Sequence, residues 1–235
     1  MGQKIRPDSF RFGITKPWNA RWFPKKHFSF KDQLEEDVAI REVIREKLTN
    51  AGIVRVEIER GAHTLYRILI KAARPGFVIG RGGKGIEELN SLMEKRLREL
   101  LRTRGVINPK ISLSISIEEL KRSEISATYL AQLIAWDLEK RLPARRTLKK
   151  YLQEAMQNKE IKGAKIKLSG RIDGGEIARR EWLSRGSLPL QTLRADIDYG
   201  EATALASYGT VGIKVWLYKG EIFPDGTDEN ERKRR

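Results

Sequence analysis

Cysteine is absent from the 235 residues, which excludes disulfides, thiolate metal sites and cysteine nucleophiles. Histidine occurs only as His27 and His63, too few for a histidine-built zinc cluster. No apolar run reaches the roughly 18 residues that a bilayer requires. The opening Met1-Gly2-Gln3-Lys4-Ile5-Arg6 also lacks the apolar stretch of a secretory leader. A soluble, cytoplasmic protein with no membrane partner is expected.

Positive charge is what the chain has in excess. Lys and Arg number 47 against 31 Asp and Glu, a formal charge of +16 and a pI near 10.1. A 40% hydrophobic content beside 33% charged residues fits a folded core under a cationic surface. The length suits two compact domains, and the expected partner is a polyanion.

The charge is placed rather than uniform. Residues 1–31 form a basic, aromatic N-terminal arm with eight basic residues and only Asp8 as an acid. Phe10, Phe12, Trp18, Trp22, Phe23, Phe28 and Phe30 lie among them without helical or strand periodicity. The reading preferred is an extended arm with cations on phosphates and some aromatics stacked on partners; the alternative folds those aromatics back onto the protein. Residues 32–60 are net acidic, 61–190 strongly basic, and 191–224 nearly neutral. The tail from 223 to 235 is almost entirely polar and is expected to be disordered.

Periodicity gives an α+β chain in two domains, 32–120 and 121–222. Val38, Ile40, Val43, Ile44 and Leu48 predict a helix over 37–51, and Val54, Val56 and Ile58 a half-buried strand. A second strand runs through Tyr66, Ile68 and Ile70. A short helix at 75–79 and a glycine-rich turn follow, then a long helix with Leu89, Met93 and Leu97 inward. Ile111, Leu113, Ile115 and Ile117 alternate with serines in a closing strand. The second half predicts helices at 123–141 and from Pro143, placed at the first helical position, to about Gln157. Strands near 166–168, 191–199 and 209–219 make an antiparallel sheet on which those helices pack.

Gly80-Arg81-Gly82-Gly83-Lys84-Gly85 is the first chemical signal. A Walker loop would need Ser or Thr after Lys84 and glycine at Val78, and a dinucleotide loop would need a βαβ frame that is absent. The spacing fits a Gly-x-x-Gly turn between two helices, where the backbone comes close to sugar-phosphate. The next helix begins there with unpaired N–H groups, and Ile79 and Ile86 are expected to pin the turn to the core. A second signal lies at 141–150, which holds five basic residues and no acid. Arg145 and Lys149, and Arg146 and Lys150, stand four apart, so each pair shares a helix face. Leu148, Leu152 and Met156 bury the opposite side.

Val78-Ile79-Gly80-Arg81-Gly82-Gly83-Lys84-Gly85-Ile86 resembles the signature of KH domains, and the αββααβ order is similar to their type II topology. The segments Leu168-Ser169-Gly170-Arg171-Ile172, Gly175-Glu176-Ile177-Ala178-Arg179, Leu193-Arg194-Ala195-Asp196-Ile197-Asp198-Tyr199 and Val211-Gly212-Ile213-Lys214-Val215-Trp216 follow in one order. Together with the opening five residues, they resemble the S-three family of bacterial small-subunit ribosomal proteins over roughly residues 1–222.

That resemblance implies a structural constituent of the small ribosomal subunit, with no cofactor, no metal and no catalytic group. Its implied partners are small-subunit rRNA, mRNA and neighbouring ribosomal proteins of the head and entry channel. Gly80, Arg81, Gly82, Gly83 and Lys84 are then the RNA-binding loop. Arg145, Arg146, Lys149 and Lys150 line the mRNA entry channel and help unwind the message. Lys4, Arg6, Arg11, Trp22, Arg171, Arg179 and Arg194 are expected on rRNA. Asp196 and Asp198 share a strand face and are expected to serve as structural partners of Arg194 or nearby bases. A nucleic-acid enzyme would instead need a lysine in an apolar pocket for Schiff-base chemistry or clustered carboxylates for two metals, and neither pattern stands out.

Overall fold

The computed structural model describes residues 4–24, 30–61, 65–105, 111–120 and 125–223. Lys25, Lys26, His27 and Phe28 of the arm, His63, and the expected disordered tail from 224 onward lie outside the described residues. In chain order the elements are α1 (Pro7–Arg11), β1 (Ala20–Arg21), α2 (Phe30–Lys47), β2 (Ile53–Arg60), β3 (Leu65–Ala72), α3 (Pro75–Ile79), α4 (Lys84–Thr103) and β4 (Ser112–Glu119). They continue with α5 (Ala127–Glu139), α6 (Ala144–Gln157), β5 (Gly163–Gly170), β6 (Arg179–Gly186), β7 (Ala195–Ala206) and β8 (Gly209–Glu221). The chain divides into two compact units, Trp18–Lys121 and Met1–Pro17 with Arg122–Arg235.

Trp18–Lys121 carries the αββααβ order as α2, β2, β3, α3, α4 and β4. Its sheet runs β1-β2-β3-β4, antiparallel between β2 and β3 and parallel at its two outer pairings. Strand alternation turns Tyr66, Ile68 and Ile70 inward against Ile40 and Ile44 of α2 and Leu89, Met93 and Leu97 of α4. Helix α2 starts at Phe30, seven residues before its apolar period. Its first turns are polar because they face an ion network rather than the apolar core. Arg60 pairs with Glu36 at 2.6 Å and also with Asp37, while Arg104 reaches Glu35 at 2.6 Å and Glu36 at 2.7 Å. The Tyr66 hydroxyl donates to Glu36 at 2.8 Å. Burial, and then the Glu36 carboxylate, raise its pKa well above the ordinary phenol value.

In the other unit the sheet runs β6-β5-β8-β7, antiparallel throughout. Ile166, Leu168, Val211, Ile213, Val215 and Leu217 project from one face into a core with Leu130, Ala131, Ile134 and Leu138 of α5 and Leu148 and Leu152 of α6. Tyr199 and Glu201 of β7 stand on the opposite face, where the hydroxyl donates to the carboxylate at 3.0 Å. Asp198, expected as a structural partner of Arg194 or a neighbouring basic residue, has Lys16 at 4.0 Å rather than Arg194, and it also accepts the Ala127 N–H at 2.8 Å and so caps α5. Arg194 has Glu221 nearby, at 3.9 Å.

The arm is not a separate element in this structure: its described residues divide between the two units. Ala20 and Arg21 form β1 beside β2. Trp22, expected to meet RNA, donates its Nε1–H to Asp37 at 2.8 Å and lies under the Arg60 guanidinium. Arg11, also expected on rRNA, is fully buried in the other unit. Its guanidinium donates to the carbonyls of Ala195 at 2.8 Å, Thr192 at 2.8 Å, Leu190 at 3.0 Å and Pro7 at 3.1 Å. Four of the five N–H groups of an arginine are thereby occupied, so Arg11 ties α1 to the strand and loop beside it and has no access to phosphate.

Candidate nucleic-acid interface

Four glycines near the α3–α4 junction divide into two jobs. Gly80 ends α3 with its N–H on the Gly76 carbonyl at 3.0 Å and a φ of 71°. A Cβ on Gly80 would lie 2.7 Å from the Gly85 nitrogen, and one on Gly85 would lie 2.7 Å from the Val78 carbonyl oxygen. These two glycines let the helices close on each other. Gly82 and Gly83 have open space around the missing Cβ but φ values of 63° and 84°, a conformation that costs other residues energy. They present bare backbone to solvent at the start of α4, whose first turn has no side-chain cap. Arg81 and Lys84 are exposed beside it, with no ion pair to any described residue. The pin to the core is Val78, fully buried, rather than Ile79, which is 39% exposed.

Helix α6 begins at Ala144, so Pro143 is the capping position rather than the first helical one. The Ala144 N–H donates to Asp173 Oδ1 at 2.9 Å. Thr147, Leu148, Tyr151, Leu152 and Ala155 are buried, which fixes the rotation of the helix and leaves Arg145, Arg146, Lys149 and Lys150 exposed. Lys150 is drawn aside, 3.6 Å from Asp137 Oδ2 and over the Tyr151 ring. Arg145, Arg146 and Lys149 have no acidic partner among the described residues. Three like charges within five residues repel one another, and a phosphate chain relieves that repulsion.

The remaining expected contacts are spread out. Lys4 is exposed, and Arg6 pairs with Glu201 at 2.9 Å across the Tyr199 ring. Arg171 is half-buried, its Nε–H on the Gly175 carbonyl at 3.0 Å. Arg179 lies 3.1 Å from Glu181 and remains exposed. The structure does not gather these residues into one site. Asp173 and Asp137, which shape the cationic helix from other elements, carry no signal in the sequence. Among the described residues, no three metal-ligating side chains converge and no helix is long and apolar enough to cross a membrane.

An αββααβ unit with an exposed glycine turn between its paired helices defines an RNA-binding protein built on a KH domain. The KH domain family matches residues 39–125, and the family described as ribosomal protein S3, C-terminal domain, matches 134–217. Small ribosomal subunit protein uS3 of Clostridium novyi is 46% identical over 224 residues, 95% of each chain. Its namesake in Caldicellulosiruptor saccharolyticus is 45% identical over 95% of each chain, and that of Clostridium botulinum 43% identical over 99% of this chain and 98% of its own. The chain belongs to the uS3 family of small ribosomal subunit proteins. Within that family it is a structural ribosomal protein, not an enzyme.

Proposed function

We propose that this protein is a structural constituent of the small ribosomal subunit in the cytoplasm, binding rRNA, and that the basic face of α6 lines the mRNA entry channel. There it guides the incoming message and helps to unwind it, beside neighbouring proteins of the subunit head. The exposed turn Gly80-Arg81-Gly82-Gly83-Lys84 supplies a backbone clamp for RNA, and Lys4, Arg6, Arg171, Arg179 and Arg194 supply further phosphate contacts.

The observation that carries the entry-channel reading is the triplet Arg145, Arg146 and Lys149, without an acidic partner among the described residues, on a helix whose opposite side is locked by packing. A rigid row of cations holds phosphates without reading bases. It therefore suits a strand that slides past while its duplex partner is excluded. Ribosomes reconstituted with Arg145→Ala, Arg146→Ala and Lys149→Ala together are expected to translate an unstructured message at the parental rate and a hairpin-containing one several-fold more slowly. Equal rates on both messages would remove the entry-channel role and leave the rRNA-binding role standing.

A further inference from the structure

Helices α5 and α6 cover one face of the sheet of the second unit; on the other face α1 and the residues Leu188 and Leu190 cover its β7 end, over Ala195, Ile197 and Tyr218. On that other face, cross-strand register sets Lys165 of β5 opposite Trp216 of β8 and Ser184 of β6. One step along, Lys167 is opposite Lys214 of β8 and Trp182 of β6. Trp182 is 57% exposed, and Lys165 Nζ lies 4.8 Å from the centre of its ring and 5.9 Å from that of Trp216. At the β7 end, the segment carrying Lys4, Arg6 and Phe10 overhangs this face and encloses a cleft of about 570 Å³ floored by Lys167, Lys214 and Trp216.

Lys167 and Lys214 face each other directly across paired strands, an arrangement that is destabilising by itself. Glu201 of β7 stands opposite Lys214 in register, but its carboxylate is held by Arg6 at 2.9 Å and by the Tyr199 hydroxyl at 3.0 Å, and among the described residues it forms no ion pair with either lysine. Facing lysines with no acid between them call for an anion. Trp182 in the row of the two lysines, largely open to solvent, and Trp216 in the adjoining row call for a planar ligand. A polyanion whose charges alternate with flat, stackable groups is a single-stranded nucleic acid, and a four-stranded sheet bearing aromatics is a platform that stacks unpaired bases.

We propose that the open face of this sheet is a further single-stranded RNA surface, separate from the glycine turn and from α6. Bases lie against Trp182 and Trp216, and phosphates sit on Lys167 and Lys214. One unstacked nucleotide enters the cleft beside Arg6 and Phe10.

The test uses the full chain carrying Gly82→Asp, Gly83→Asp, Arg145→Ala, Arg146→Ala and Lys149→Ala, so that neither of the other two surfaces contributes. A fluorescein-labelled uridine 12-mer is the probe, followed by anisotropy and by quenching of tryptophan emission. The background chain is expected to bind it with quenching. Adding Lys167→Ala and Lys214→Ala should weaken binding at least tenfold. It should also flatten the dependence of log K on log salt by about 1.4, since each single-strand phosphate contact contributes about 0.7. Trp182→Ala should abolish part of the quenching, and Trp182→Phe should retain the affinity. Circular dichroism checks that each variant is folded. Absence of binding by the folded background chain, or binding and salt slope untouched by the lysine pair, would overturn the proposal. So would lysine cross-links from Lys165 and Lys167 to a neighbouring protein, rather than to RNA, in assembled subunits.

Discussion

Asp173 holds its own backbone at a φ of 54° while its carboxylate accepts the first N–H of α6, 29 residues earlier in the chain. Both features are unusual for a side-chain cap, which ordinarily comes from the residue just before the helix. Removing the carboxylate orphans that N–H at a cost of about 0.5–2 kcal/mol, and an alanine left at positive φ costs a further 1–2 kcal/mol or so. Asparagine retains an acceptor and tolerates the left-handed conformation. Glycine loses the cap but relieves the backbone. Urea denaturation is therefore expected to rank Asp173→Asn nearest the parent, Asp173→Gly next and Asp173→Ala lowest. If the alanine variant matched the parent, Asp173 would have no part in setting the helix. The sequence gives no sign of this role for Asp173, because nothing local links it to a helix end 29 residues away. The buried role of Arg11 is hidden in the sequence for a related reason. A basic residue bonded to carbonyls and one bonded to phosphates look alike until the chain is folded.

At the level of elements, strands and helices with one apolar face were legible and those without it were not. Helix α4 and strands β3, β4 and β8 follow their alternation closely, since each buries one face against a core. Strand β6, Arg-Arg-Glu-Trp-Leu-Ser-Arg-Gly, is an edge strand with few inward side chains, and only its pairing with β5 makes it a strand. The first turns of α2 were hidden because their inward residues are charged. Glu36 and Asp37 are both buried, and Arg60, itself nearly inaccessible, holds them. Breaking a buried pair leaves an uncompensated charge, which costs about 3–5 kcal/mol. Here two carboxylates share one guanidinium, with Arg104 and Tyr66 also on Glu36 and Trp22 also on Asp37. Arg60→Ala is thus expected to destabilise Trp18–Lys121 by that amount, and Arg60→Lys to recover only part of it, since an ammonium cannot reproduce the fork. Chemical denaturation followed by Trp22 fluorescence measures both, and a loss below about 1 kcal/mol for alanine would mean that Arg104 alone satisfies the cluster.

Over the whole molecule, a net charge of +16 guarantees attraction to any RNA at low ionic strength, so affinity there says little about which surface touches which strand. Two variants remain strongly cationic yet remove different contacts. Gly82→Asp with Gly83→Asp keeps the loop geometry, because aspartate tolerates positive φ, but sets two carboxylates where phosphate would approach the α4 N-terminus. Arg145→Ala, Arg146→Ala and Lys149→Ala empty the α6 face. If the glycine turn clamps RNA of the subunit and α6 serves the passing message, their effects separate. Titration of isolated protein with small-subunit rRNA across 50–200 mM salt, a range over which phosphate contacts lose strength steeply, is expected to show the loop variant falling at least tenfold below the parent at the upper end. The helix variant should track the parent there, and its subunits should sediment intact. A helix variant that lost rRNA affinity and sedimented apart from the particle would make α6 an anchor to rRNA, and its unpaired cations would then mark assembly rather than the path of the message.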